Sequence, residues 1–251
     1  MAANTSVEQD PKEKILAGLK LPKPFIPIGI DVGQVKDPTT IVVGEARQRF
    51  SGRWQHLPED FSNKGYRAAQ DTPILETLFQ VRFVSRIPLN TEYPVVALML
   101  ARLLDNEQLR GKRRVVRIDI TGVGRPIYDM LVAEVRRLPE HRLITCLPIT
   151  FTHGDHYKRD TGVLGKAFGV SRAQSLLQRS LIKVPTSGPF LSEILAMIEE
   201  MKIYKIKIND KGNDTYGAFE VGTHDDLATA LILMALEDAI ANTVTIGPKI
   251  R

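Results

Sequence analysis

IPIGIDVGQVKDPTTIVVGEARQRF, residues 26–50, reads as a strand, a turn and a second strand: an apolar run stops at Asp31, a polar segment with Pro38 reverses the chain, and an apolar run resumes. A carboxylate closing a buried strand is costly, because desolvation disfavours its charged form. The pattern recurs. RIDITGVG (117–124) ends another apolar run at Asp119, and THDDL (223–227) sets Asp225 and Asp226 at the opening of a long apolar helix. Acids so far apart in the chain point to side chains gathered around something positive. Oxygen-only ligands favour a hard cation such as Mg²⁺ or Mn²⁺ over zinc.

Each acid also has a plain structural reading. Asp31 before Val32-Gly33 suits the start of a turn. Thr223 three residues before Asp226 resembles a capping box, and acids in a first helical turn are stabilised by the helix dipole. Gly122 and Gly124 match two glycines of a dinucleotide fingerprint, but Ile127 occupies the third position, so that motif is absent. The joint reading gains from magnitude. Two carboxylates about 5 Å apart repel by roughly 3 kcal/mol at an effective dielectric of 20. A cluster of them opposes folding unless protons or cations bind. Two ions about 3.5–4 Å apart that share a carboxylate can clamp a phosphodiester.

Further along the chain, residues 1–24 read as a flexible, solvated leader, Ser51–Asp71 as a loop, and LFQVRFVSRI as a third strand. Helix and strand then alternate: TEYPVVALMLARLLDNEQL, RRVVRIDI, GRPIYDMLVAEVRRL with Pro126 in its first turn, HRLITCLPITF, VSRAQSLLQRS and PFLSEILAMIEEM. A hairpin turning at Asp210–Asn213 precedes the last helix, which starts near His224. An antiparallel hairpin joined to parallel βαβ units makes a mixed α/β sheet, whose ligands gather at the carboxyl ends of strands. Asp31 and Asp119 both occupy that end.

In 251 residues, 34 Lys and Arg against 29 Asp and Glu give a net charge of +5, which leans towards a polyanionic partner. Cys146 is the single cysteine, so the chain has neither an internal disulfide nor a cysteine-built zinc site; it reads as a small core residue. No apolar signal region or membrane-length run appears, so the expected location is cytoplasmic, the host cytoplasm if the gene is viral or prophage-borne. Basic clusters at Lys112-Arg-Arg114, Arg136-Arg137, Lys158-Arg159 and Lys202/Lys205/Lys207, with Arg125 at a helix start, are candidate phosphate contacts. His153-Gly-Asp155-His156 reads as a polar loop, and His224 as a neighbour of the acids. Aromatic residues make up 6%, without a stacking array, which favours duplex backbone over single-stranded bases as the ligand.

IGIDVGQVKDPTTIVV, RIDITGVGRPIYDML and GTHDDLATALILMAL closely resemble the nuclease domain of tailed-phage large terminase subunits, over about residues 25–241. The resemblance implies a ribonuclease H-like domain (25–245) and an endonuclease that uses two Mg²⁺ or Mn²⁺ ions to cut concatemeric viral DNA. It also implies Asp31 as the ligand bridging both ions, Asp119 as the second ligand, and Asp225 as the third, with Asp226 beside it. Its implied partners are double-stranded DNA, a packaging motor ATPase, the portal and small terminase proteins, with no membrane. The family's motor has no counterpart here: Gly162-Val-Leu-Gly-Lys166-Ala lacks the spacing and the Ser/Thr of a phosphate-binding loop. The alternatives are an actin-like ATPase or phosphotransferase and a non-catalytic DNA-binding packaging module.

Overall fold

The computed structural model describes residues 10–33, 37–62, 65–67, 69–203, 205–208, 214–217 and 225–237. In chain order the strands are β1 (Ile26–Asp31), β2 (Thr40–Leu57), β3 (Asp60–Ser62), β4 (Gly65–Arg67), β5 (Gln70–Arg86), β6 (Arg114–Asp119), β7 (Ile144–Thr152), β8 (Tyr157–Lys158), β9 (Val163–Gly165), β10 (Ile182–Lys183), β11 (Lys205–Ile208) and β12 (Asp214–Gly217). The helices are α1 (Pro11–Ala17), α2 (Tyr93–Leu104), α3 (Gly124–Val135), α4 (Lys166–Gln178), α5 (Leu191–Ile203) and α6 (Asp226–Met234). Eight strands form one mixed sheet in the order β10-β5-β2-β1-β6-β7-β9-β8. β1, β2 and β5 pair antiparallel, whereas β1, β6, β7 and β9 run parallel. This is the mixed sheet, an antiparallel hairpin joined to parallel strands, expected from the order of strands and helices.

Period-two alternation divides β1 between two cores. Ile26, Ile28 and Ile30 face α2 and α3, packing with Val96, Leu100, Leu104, Ile127 and Leu131. The opposite face of the sheet, with Val42, Phe79, Val115 and Phe151, is covered by α4, α5 and α6. Burial on both faces explains why β1 reads as a nearly continuous apolar run, whereas the buried Arg114 and Arg117 interrupt β6.

Two expectations change. Ser51–Asp71 is not a loop: β2 and β5 continue as a ribbon from Thr40↔Arg86 to Leu57↔Gln70, with register shifts after Val43 and Phe50. Solvent wets both faces of the outer ribbon, so no alternation of hydrophobicity marks it, and backbone pairing carries it. Within the leader, Pro11–Ala17 is helical, because the Asp10 side chain accepts from Lys12 N at 2.9 Å and Pro11 stands where a missing N–H costs nothing. Lys12 then reaches Asp71 at 3.3 Å and the Trp54 ring at 5.3 Å, tying the helix to the ribbon.

The expected hairpin forms, with β11 antiparallel to β12; its turn lies outside the described residues. Cys146 is half-buried on β7 and makes no disulfide, and burial pushes its thiol up to about 11. Among the described residues no helix is long and apolar enough to cross a membrane.

α6 is held at its far end by a buried pair. Arg117, 1% exposed, donates to Glu237 at 3.1 Å, and Tyr157 donates to the same carboxylate at 3.0 Å. Glu237→Gln keeps acceptor capacity but removes the charge facing Arg117. Urea denaturation is expected to register a loss of about 2 kcal/mol; an unchanged midpoint would mean the pair contributes nothing.

Candidate active site

β1 and β6 are adjacent, parallel and in register, Ile30 opposite Ile118, so Asp31 and Asp119 end neighbouring strands at one level. Strand spacing of about 4.8 Å and equal parity put both carboxylates on one side of the sheet. On the other flank Asp31 pairs with Thr40 of β2. The Thr40 hydroxyl donates to the backbone carbonyl of Asp226 at 2.8 Å, which fastens the first turn of α6 beside β1.

α6 comes this close because Gly29 lies beneath it. A Cβ on Gly29 would stand 1.9 Å from the Ala230 carbonyl oxygen and 2.5 Å from Met234 N. Two residues on, Asp31 faces the same side. The glycines after Asp119 also answer to packing: a Cβ on Gly124 would stand 2.0 Å from the Asp119 carbonyl oxygen, and Gly122 takes φ +71°. They let α3 begin tight against the end of β6.

The capping expectation for Thr223 is corrected. The N-cap of α6 is Asp225, and its side chain makes no capping bond. Thr223 and His224 lie outside the described residues.

Electrostatics show the convergence. Asp31 retains some exposure but sits deep at the strand edge. Burial, then the carboxylates of Asp119, Asp226 and Asp225, hold its pKa well above the ordinary value, and Lys166 pulls it down. Burial also raises Asp119, whereas the Thr121 hydroxyl, the Thr121 N–H (2.7 Å) and Lys166 lower it. Thr121 is itself fixed, accepting from Phe151 N at 2.9 Å. Asp119, Asp225 and Asp226 are thus each near enough to Asp31 for their charges to act on it.

A pH dependence follows. A carboxyl raised in the folded state costs nothing below its unfolded value of about 3.9, and its cost grows as pH climbs through the window up to the folded value. Metal-free stability should therefore fall with rising pH more steeply in wild type than in Asp31→Asn. Parallel melting-temperature profiles would remove Asp31 as the source.

Among the described residues no three His, Cys, Asp or Glu side chains form a ready metal cage. The donor set still fits Mg²⁺ or Mn²⁺, since it is all oxygen, and Mg²⁺ typically takes one or two carboxylates and keeps several waters.

Sequence reasoning missed Lys166. It opens α4 directly after β9, lies 5.9 Å from the Phe151 ring centre, and its charge acts on both Asp31 and Asp119. Its only signal was a Gly-Lys pair, noted as a failed phosphate loop. Glu200 was missed as well; it accepts from Ala228 N in the first turn of α6.

The candidate DNA contacts divide. Arg125 is exposed at the start of α3, near Asp129 (3.4 Å) and stacked on Tyr128. Lys158 is exposed on β8, while Arg159 is engaged with Glu237 at 3.0 Å. Lys205 and Lys207 lie on β11, with their side chains outside the described set. Arg114 drops out: it is 0% exposed and bound to the Leu104 carbonyl and Glu140, both at 2.6 Å, at the strand end opposite the acids. His153, Asp155 and His156 are exposed, as a polar loop should be.

No protein-family model matches the sequence, and no curated protein matches it. The fold does match solved structures. The large terminase nuclease from thermophilic phage G20c superposes with a TM-score of 0.52 at 15% identity, over 89% of this chain and 88% of that one. The same nuclease with bound magnesium gives 0.52 at 16% identity, over 89% and 87%. The chain has the fold of that nuclease domain.

Proposed function

We propose that this chain is a metal-dependent endonuclease that cuts duplex DNA during viral genome packaging, with residues 25–245 as the nuclease domain and 1–24 as a leader. The observation that carries the reading is the meeting of Asp31, Asp119, Asp225 and Asp226 at one edge of a terminase-nuclease fold. Asp31, Asp119 and Asp225 or Asp226 would be the residues that hold the two ions. Bound Mg²⁺ or Mn²⁺ would supply Lewis-acid polarisation of the phosphodiester and a water of lowered pKa.

The remaining work falls to the protein. β1 and β6 hold two carboxylates rigidly, and the Thr121 donors orient Asp119 and oppose the upward shift that burial imposes on it. Lys166 offers a cation to a phosphate oxygen at the reacting centre. Arg125 and Lys158, with Lys205 and Lys207 on the hairpin, would hold the flanking backbone. Such contacts position a duplex without reading its bases. The glycines after Asp119 serve the fold itself, Gly124 through the close approach of the Asp119 carbonyl and Gly122 through its positive φ. A motor ATPase, the portal and a small terminase protein are the partners this role requires.

Nicking of supercoiled plasmid in Mn²⁺ or Mg²⁺, stopped by EDTA, tests the reading. Absence of cutting with either ion would end it. Separate Asp225→Asn and Asp226→Asn variants assign the third ligand: one should lose cutting, and two active variants would refute the role given to α6. The double variant Arg125→Ala/Lys158→Ala should bind duplex DNA in Ca²⁺ with a salt slope shallower by about 0.9 per lost phosphate contact. An unchanged slope would place the DNA elsewhere.

A further inference from the structure

Glu200 poses a problem that the proposed function does not solve. It lies on α5, on the face whose other residues, Ile194, Met197 and Met201, are buried in the core, and it is itself only 7% exposed. A carboxylate there is costly unless its oxygens are satisfied. They are. One oxygen accepts from Ala228 N at 3.0 Å, in the first turn of α6, and the other accepts from Arg86 at 2.7 Å. The Leu227 N–H donates to the same carboxylate, yet burial still pushes its pKa up. Arg86 ends β5 opposite Thr40, and Thr40 lies opposite Asp31, so the pair stands at the level of the acids.

A helix normally draws the acceptor for its first amides from its own N-cap side chain. α6 has an aspartate at that position, of a type that caps well, and this aspartate makes no capping bond. We propose that Glu200 is a positioning residue of the acidic centre: by capping α6 from a neighbouring helix, it leaves the Asp225 and Asp226 carboxylates to face Asp31. Two clamps then hold the turn, Glu200 on the Ala228 amide and Thr40 on the Asp226 carbonyl. The inference rests on the proposed function, because it takes Asp225 and Asp226 as groups that act on a metal ion.

The test compares Glu200→Ala, Glu200→Asp and Glu200→Gln in the full chain. Ala removes the carboxylate, Asp withdraws it from the amides by one methylene, and Gln keeps an oxygen in place. Two quantities are read: hydrogen exchange of the Leu227 and Ala228 amides without metal, and the Mn²⁺ concentration giving half of the maximal thermal stabilisation. Ala and Asp should each speed exchange at least tenfold and raise the Mn²⁺ midpoint at least tenfold. Gln should stay within threefold of wild type in both. If the Ala variant does not fold, the Asp variant carries the test.

A purely structural role would lower melting temperature without moving the Mn²⁺ midpoint, and that result overturns the inference. Unchanged exchange in the Asp variant overturns it also. A wild type that shows no Mn²⁺ stabilisation overturns the metal reading of the site and this inference with it. A wild type stabilised by Mn²⁺ with the same midpoint in the Asp variant removes the inference alone.

Discussion

Asp31→Asn is expected to abolish DNA cleavage, by on the order of 10³-fold or more, while the metal-free protein becomes more stable. The loss follows from removing the carboxylate that lies among Asp119, Asp225 and Asp226, and a 10³-fold effect corresponds to about 4 kcal/mol of transition-state stabilisation. The gain follows from the same crowding. A buried carboxylate facing three others carries repulsion and desolvation that an amide does not. Lys166 offsets part of this in the wild type. Asp119→Asn should also lose cutting but gain less stability, because Thr121 stabilises the ionised form of Asp119. Plasmid cleavage in Mn²⁺ and thermal melting in EDTA are the measurements. An Asp31→Asn protein that cuts like wild type, or that melts lower without metal, would contradict the role given to this residue.

Gly29→Ala should be among the most damaging single methyl additions at the described glycines. The added Cβ would meet the Ala230 carbonyl oxygen at 1.9 Å, Met234 N at 2.5 Å and the Ala230 carbonyl carbon at 3.0 Å, all of them backbone atoms. No rotamer change relieves such a clash, so either β1 or α6 must move by an ångström or more. The expected cost is about 4–5 kcal/mol or more, the range reserved for severe packing violations. Displacement of α6 also takes Asp225 and Asp226 away from Asp31, so any folded fraction should show no Mn²⁺ stabilisation. Gly18→Ala is the control, since its nearest neighbour would be the Lys14 carbonyl oxygen at an ordinary 3.5 Å. Wild-type melting and cleavage in Gly29→Ala would mean that the helix does not lean on this glycine.

Readability from sequence followed the physics of each element. β1 was legible because burial on both faces forces a nearly continuous apolar run, and α2 and α3 because one buried stripe repeats at helical spacing. The outer ribbon of β2 and β5 was illegible because hydrogen bonds between two wet strands leave no trace in hydropathy. Arg114 read as a surface cation because a side chain spent on the Leu104 carbonyl and Glu140 looks, in sequence, like any other arginine.

The acids themselves were plain in the chain, since charge at the ends of apolar runs is conspicuous wherever it occurs. Their meeting was not. It depends on a helix late in the chain settling onto Gly29, on Thr40 and Glu200 gripping its first turn, and on Lys166 arriving from another helix. Those contacts join residues remote along the polypeptide, and their strength comes from backbone approach and burial, which exist only once the layers have packed. Periodicity and charge are properties of neighbours in the chain; a shared pocket is a property of neighbours in space.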